Sequence, residues 1–159
     1  IQAEAMAEYV SKTYNIDKIY VSTLKRAVQT ANHLSEKVAA PIILDDNLME
    51  FNNGLIAGLS WEEADEKYPK VENLPIDQSV YGQESRVEFR KRAESAFGRI
   101  LNENDSNSTV AIVSSADVHV TCIPSGLTVA VTFSSLPQIS VNIVLSKLIV
   151  SCSFAVTST

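Results

Sequence analysis

The sequence predicts an α/β fold in three layers, with helices on both faces of a mostly parallel sheet. Short apolar runs alternate with helical periods along the first 115 residues. Two segments, Ser60-Trp61-Glu62-Glu63 and Ser85-Arg86-Val87-Glu88, carry a serine three residues ahead of a glutamate, the spacing of a capping box at a helix start. A length of 159 residues suits one domain with a sizeable core, and no linker or repeat divides it.

Gln2 to about Tyr14 sets Ala3, Met6, Ala7 and Val10 on one stripe, a helical period. Lys18-Ile19-Tyr20-Val21 is a buried strand ending at Ser22. Leu24 to Val38 places Leu24, Ala27, Ala31, Leu34 and Val38 on one helix face, with Ser22 and Thr23 as cap candidates. Pro41 to Leu44 is a second strand, and the two capping boxes open helices of about 60–67 and 85–101. Thr109 to Val113 is the clearest strand, and it stops at Ser114-Ser115. Ile139 to Val144 and Lys147 to Phe154, rich in β-branched residues, read as further strands.

Charge is unevenly spread. From Ala116 to Thr159 only Asp117 and Lys147 are charged, against 30 charged residues in the first 115. That segment also holds 13 Ser and Thr and both cysteines, Cys122 and Cys152. It reads either as a buried sheet region or as sequence that has lost its original constraints. A net charge of −6 argues against a nucleic-acid or anionic-membrane partner. No stretch approaches the ~20 apolar residues of a membrane span. Two cysteines make no disulfide scaffold and no metal spacing, which predicts a reducing, cytoplasmic setting without metal or cofactor. The chain opens at Ile1 without Met and inside a helical pattern, so a segment upstream of it is expected.

Val21-Ser22-Thr23-Leu24-Lys25-Arg26 runs from a strand into a helix, with an arginine in the first turn. The crevice beyond the carboxyl ends of parallel strands is where such folds bind ligands. A helix N-terminus and a guanidinium fork there both favour a phosphate. Arg26 lies off the apolar stripe and can face that crevice; a solvated helix arginine is the other reading.

Ser22 to Ala31 resembles the second signature of the histidine phosphatase superfamily, the phosphoglycerate-mutase-like proteins. The segment from Leu48 to Gly58 resembles that family's acidic loop, and Trp61 to Pro69 the short helix behind it. Gly82-Gln83-Glu84-Ser85, with Arg90 or Arg92 after it, is similar to the start of its long helix, and Val110 to Ser114 to its last central strand. The resemblance covers residues 1 to about 115; beyond them only Leu136-Pro137-Gln138 and the next strand are similar, so 116–159 reads as divergent within a single domain. The family implies metal-independent hydrolysis or transfer of a phosphomonoester through a phosphohistidine. Its partners would be a phosphorylated small molecule or inorganic phosphate. By resemblance Arg26 matches a phosphate-clamping arginine and Glu50 the proton donor of the acidic loop. The other reading of Glu50 is an exposed loop carboxylate near Asp45 and Asp46, but the surrounding Asn52-Asn53-Gly54 and Ala57-Gly58 favour the functional one.

The departures are specific. No Arg-His-Gly occurs in the 159 residues, although the family's nucleophilic histidine lies in that signature. Ser115 stands at the place of the second histidine, followed by Ala116-Asp117. A serine is no cation at neutral pH, and Asp117 would repel phosphate. His119 reads as an ordinary polar histidine, and His33 is two helical turns from Arg26, ~10 Å along the axis. By resemblance the family's first strand would lie beside Thr109–Val113. Its loss predicts marginal stability, self-association into a homo-oligomer, or replacement by part of the C-terminal third. The chain therefore reads as a truncated, impaired phosphatase. The alternatives are a non-catalytic remnant that binds an anion or partner, and an unrelated interaction module.

Overall fold

Lys18–Ser22 is apolar and almost wholly buried, and forms a strand, β1, inside a sheet rather than at its edge. Ile42–Asp45 (β2) pairs with it on one side and Val110–Ser114 (β3) on the other, both parallel. A computed structural model describes residues 2–105 and 107–115, and the backbone of 130–133 and 148–152. The last two segments are strands β4 (Ala130–Phe133) and β5 (Leu148–Cys152), and the sheet runs β2-β1-β3-β5-β4, parallel throughout.

Successive residues of a strand face opposite sides, and the two cores follow that rule. Ile19, Val21, Ala111 and Val113 point to one face, where helices α1 (Gln2–Thr13) and α2 (Lys25–Val38) cover them with Met6, Ala7, Val10, Ala27, Ala31 and Leu34. Tyr20, Val110 and Ile112 point to the other, where α4 (Arg86–Asn102) packs Phe89, Ala93, Ala96, Phe97 and Ile100 against them. The three expected layers are present. A short helix, α3 (Trp61–Lys67), stands in the long connection between β2 and α4.

β5 takes the flank of β3 that faces away from β1, with Val110 opposite Leu148 and Ser114 opposite Cys152. A strand of the C-terminal third therefore fills the position beside β3 where the resemblance expects the family's first strand. The strand expected at Ile139–Val144, and His119, Cys122 and Asp117, lie outside the described residues.

One local expectation is corrected. Neither Ser22 nor Thr23 is the N-cap of α2; Leu24 holds that place without a side-chain cap, and its own N–H donates to Ser22 Oγ at 3.4 Å. Ser22 is buried at the end of β1, and the Thr23 hydroxyl is bound to Asp46 Oδ1 at 2.7 Å. The tertiary contact outcompetes the local one.

Both capping boxes close as expected. Ser60 Oγ accepts from the Glu63 N–H at 3.2 Å while the Ser60 N–H donates to the Glu63 carboxylate at 3.1 Å. Ser85 and Glu88 do the same at 3.2 and 2.8 Å. The Ser85 backbone N–H, bonded to the Glu88 carboxylate, holds that carboxyl below its ordinary value of 4.5. The unfolded chain thus binds this proton more readily. The box contributes its stability above 4.5 and loses it as pH falls through the depressed folded value. Glu88→Gln keeps an acceptor but does not titrate. Its urea midpoint should fall less than the wild-type midpoint between about pH 6 and about pH 3; equal falls would contradict this account.

Candidate functional site

The carboxyl ends of β2, β1 and β3 lie side by side, because Ser22 pairs with Asp45 and Val21 with Val113. Arg26 follows β1 in the first turn of α2, and Glu50 follows β2 after a 3-10 turn at Asp46–Leu48. The structure brings the two together: Arg26 Nη2 donates to Glu50 Oε2 in an ion pair whose side chains are 34% and 40% exposed. A pair so open to solvent contributes only ~0.2–1 kcal/mol. Its interest is its place at the sheet's carboxyl edge, where parallel α/β folds hold ligands.

The segment carrying Glu50 has no strand or helix to satisfy its backbone beyond that single turn, and side chains do so instead. The Arg92 guanidinium donates to the carbonyls of Asn47 (3.0 Å), Met49 (2.7 Å) and Glu50 (2.9 Å). Its remaining N–H groups form a bidentate pair with Glu84, Nε to Oε2 at 3.0 Å and Nη2 to Oε1 at 2.6 Å. Glu84 Oε1 also accepts from the Asn52 N–H at 2.7 Å, and the Glu84 N–H donates to the Asn52 carbonyl at 3.1 Å. Ser114 Oγ, at the end of β3, donates to the Leu48 carbonyl. Four consecutive carbonyls, Asn47 to Glu50, are thus held by side chains.

Asp45 does not crowd Glu50. It is buried, caps the 3-10 turn through the Asn47 N–H at 3.0 Å, and pairs with Arg99 at 2.6 Å. Ser115 follows β3, 8% exposed, and its Oγ finds no hydrogen-bond partner among the described residues. His33 is exposed on α2, well along the helix from Arg26. Among the described residues no cluster of His, Cys, Asp or Glu is arranged to hold a metal, and no helix is long and apolar enough to cross a membrane.

A cavity of about 400 Å³ opens on another part of the acidic loop, lined by Phe51, Trp61, Tyr68, Tyr81 and Arg86 but by neither Arg26 nor Glu50. Tyr68 and Tyr81 meet there with ring centroids 5.2 Å apart and planes tilted by 58°.

Glu84 and Arg92 are the residues that sequence reasoning left without a role. The resemblance admitted either Arg90 or Arg92; Arg92 reaches the loop, while Arg90 pairs with Glu94. Helical spacing could not have signalled the pair, since Glu84 precedes the Ser85 cap and lies outside α4.

The model of the histidine phosphatase superfamily, branch 1, matches residues 1–148. The chain belongs to that family. The match runs past Ser115 into the segment that reads as divergent. Phosphoserine phosphatase 1 of Hydrogenobacter thermophilus is 32% identical over 118 residues, 71% of this chain and 54% of that protein. The chain thus spans about half the length of this curated relative. A mycobacterial glucosyl-3-phosphoglycerate phosphatase superposes with a TM-score of 0.64 at 24% identity, covering 76% of this chain and 62% of that one. The same enzyme solved with inorganic phosphate gives 0.63 at 23%, with the same coverage. At these identities the superpositions speak for the fold.

Local geometry gives one test of the loop. Gly54 has φ +53°, and a Cβ there would stand 2.4 Å from the Gly82 carbonyl carbon and the Tyr81 oxygen. Gly58 has φ +82° with open space around it. Gly54→Ala should cost about 2–4 kcal/mol, from overpacking added to backbone strain, and Gly58→Ala only about 1 kcal/mol. Urea denaturation of both variants checks the difference, and equal costs would refute the close backbone approach.

Proposed function

We propose that this chain supplies the clamping arginine and the acid of a phosphomonoester site of the histidine phosphatase type. The direct contact of Arg26 with Glu50, brought from the ends of two neighbouring strands, supports the reading most strongly. The guanidinium fork matches two phosphoryl oxygens, and a dianionic phosphate attracts it more than one carboxylate does. α2 adds an N-terminus without a side-chain cap to the same crevice. With Arg26 turned to the phosphoryl group, Glu50 stands beside it, where a carboxyl group could protonate the leaving oxygen. The ligand class is a phosphorylated small molecule or inorganic phosphate.

Hydrolysis needs an attacking group, and the family resemblance assigns that role to the histidine of an Arg-His-Gly signature. These 159 residues contain none, and Ser115 stands where the second histidine is expected. A polypeptide of these residues alone therefore binds phosphate weakly and turns over phosphomonoesters negligibly. General acid help is worth ~10²–10⁴-fold and assists a cleavage that here has no nucleophile. The buried Ser115 hydroxyl favours a second reading for the chain as written, a binding module that captures an anion without acting on it.

Phosphate titration tests the clamp. Arg26→Ala should weaken binding about tenfold, the loss of a hydrogen bond to a charged group, and His33→Ala should leave it unchanged. Equal losses in both, or none in either, would count against Arg26. An aryl phosphate assay tests turnover. Activity that vanishes in Glu50→Gln would overturn the impaired reading and point to another nucleophile. Joining an Arg-His-Gly strand ahead of Ile1 and changing Ser115→His should restore activity only when the strand is present.

A further inference from the structure

Glu50 presents its carboxylate to Arg26 from a segment that is neither helix nor strand. What fixes that segment is a single guanidinium: every N–H of Arg92 is engaged, on the carbonyls of Asn47, Met49 and Glu50 itself and on both oxygens of Glu84. The side chains of Arg92 and Glu84 are only 22% and 12% exposed, so solvent competes little for the bonds between them. The Arg92 guanidinium also lies 4.9 Å over the Phe89 ring, which fixes its plane from α4.

We infer that Arg92, braced by Glu84, is a positioning residue that sets how firmly Glu50 occupies Arg26, and thereby the affinity of the clamp for a phosphoryl group. The inference rests on the phosphate-site reading of Arg26 and Glu50. Arg92 touches neither the expected ligand nor the Glu50 carboxylate; it holds the Glu50 carbonyl at 2.9 Å and the Met49 carbonyl at 2.7 Å. An ion pair between half-exposed chains gains little when both ends must be ordered to form it. Anchoring the backbone of one end in advance raises the local concentration of carboxylate at Arg26. Phosphate must displace that carboxylate. A loosened loop therefore gives a weaker internal competitor and a tighter phosphate site. Lysine cannot reproduce the anchor, since its ammonium is a point charge without a planar fork.

The experiment is a phosphate titration of the full 159-residue chain in four forms: wild type, Arg92→Lys, Glu50→Gln, and the double variant. Glu50→Gln removes the competing charge and should raise affinity about two- to five-fold. Arg92→Lys should raise it in the same direction by about twofold, yet add nothing once Glu50 is Gln. That loss of effect in the double variant separates positioning through Glu50 from general loosening, which would act in either background. Glu84→Gln, which keeps the shape of the brace, should repeat the Arg92→Lys pattern if the lysine variant folds poorly. Additive effects, or unchanged affinity in a folded Arg92→Lys variant, would overturn the inference. If no form binds phosphate, the phosphate-site reading fails, and the Arg26 Nε–Hε resonance still decides the positioning role. It should shift in Arg92→Lys as it shifts in Glu50→Gln, and an unmoved resonance in Arg92→Lys would overturn it.

Discussion

The fork of Arg92 is the interaction on which the geometry of the acidic loop depends. A segment that leaves a sheet without entering a long helix has backbone carbonyls that need partners once water is excluded. Here three of them converge on one guanidinium, and a fourth, from Leu48, takes the Ser114 hydroxyl at the end of β3. Leu48 is fully buried, so its carbonyl has no alternative in water. The same anchoring orders the residues beyond Glu50. Phe51 meets Phe89 edge to face at 5.6 Å, and Arg86 lies 4.6 Å over the Phe51 ring. The turn at Gly54 then packs directly on the backbone of Tyr81 and Gly82. Removing the fork would leave three partly exposed carbonyls and the Glu84 carboxylate without their shared partner at once, more than the loss of one exposed ion pair.

The sheet explains why Arg26 and Glu50 meet at all. β1 and β2 are adjacent and parallel, and both chains emerge at the same edge. α2 returns over one face of the sheet and α4 over the other. This arrangement leaves the strand ends open between the layers. β3 contributes the third end, with Ser114 tied to the loop and Ser115 just beyond it. β5 completes the far side of β3, so its backbone is paired along both edges.

Much of this architecture was legible in the sequence, and the reasons are local. Apolar runs in Lys18–Ser22 and Val110–Ser114, helical stripes in α1 and α2, and both capping boxes are short-range patterns that the chain displays before it folds. The pairing of Arg26 with Glu50 was not visible in spacing, since 24 residues separate them; the family resemblance brought both to attention separately. The cap of α2 was misplaced because Thr23 commits its hydroxyl to Asp46, 23 residues away. Arg92 remained without a role for a related reason. A side chain bonded to distant main-chain carbonyls imposes no residue type on its partners, so nothing at Asn47 or Met49 announces the contact.

Under the anion-site reading proposed above, the contact between Arg26 and Glu50 also bears on how the arginine would be kept in place. A guanidinium at a strand end, beside a helix start without a side-chain cap, would otherwise sample many rotamers and lose entropy on binding. The Glu50 carboxylate holds it in one of them, the place that the proposed reading gives to a phosphoryl oxygen. On that reading the arrangement would trade some affinity for order: Glu50 would compete with the ligand, but the arginine it released would already be oriented. The side chains of the pair are 34% and 40% exposed, which would keep its strength low enough for a dianion to displace it. A fully buried pair of the same composition would resist exchange, since breaking it would strand two charges away from water. Partial exposure is thus the property that, on the proposed reading, would let one glutamate both organise the arginine and yield it.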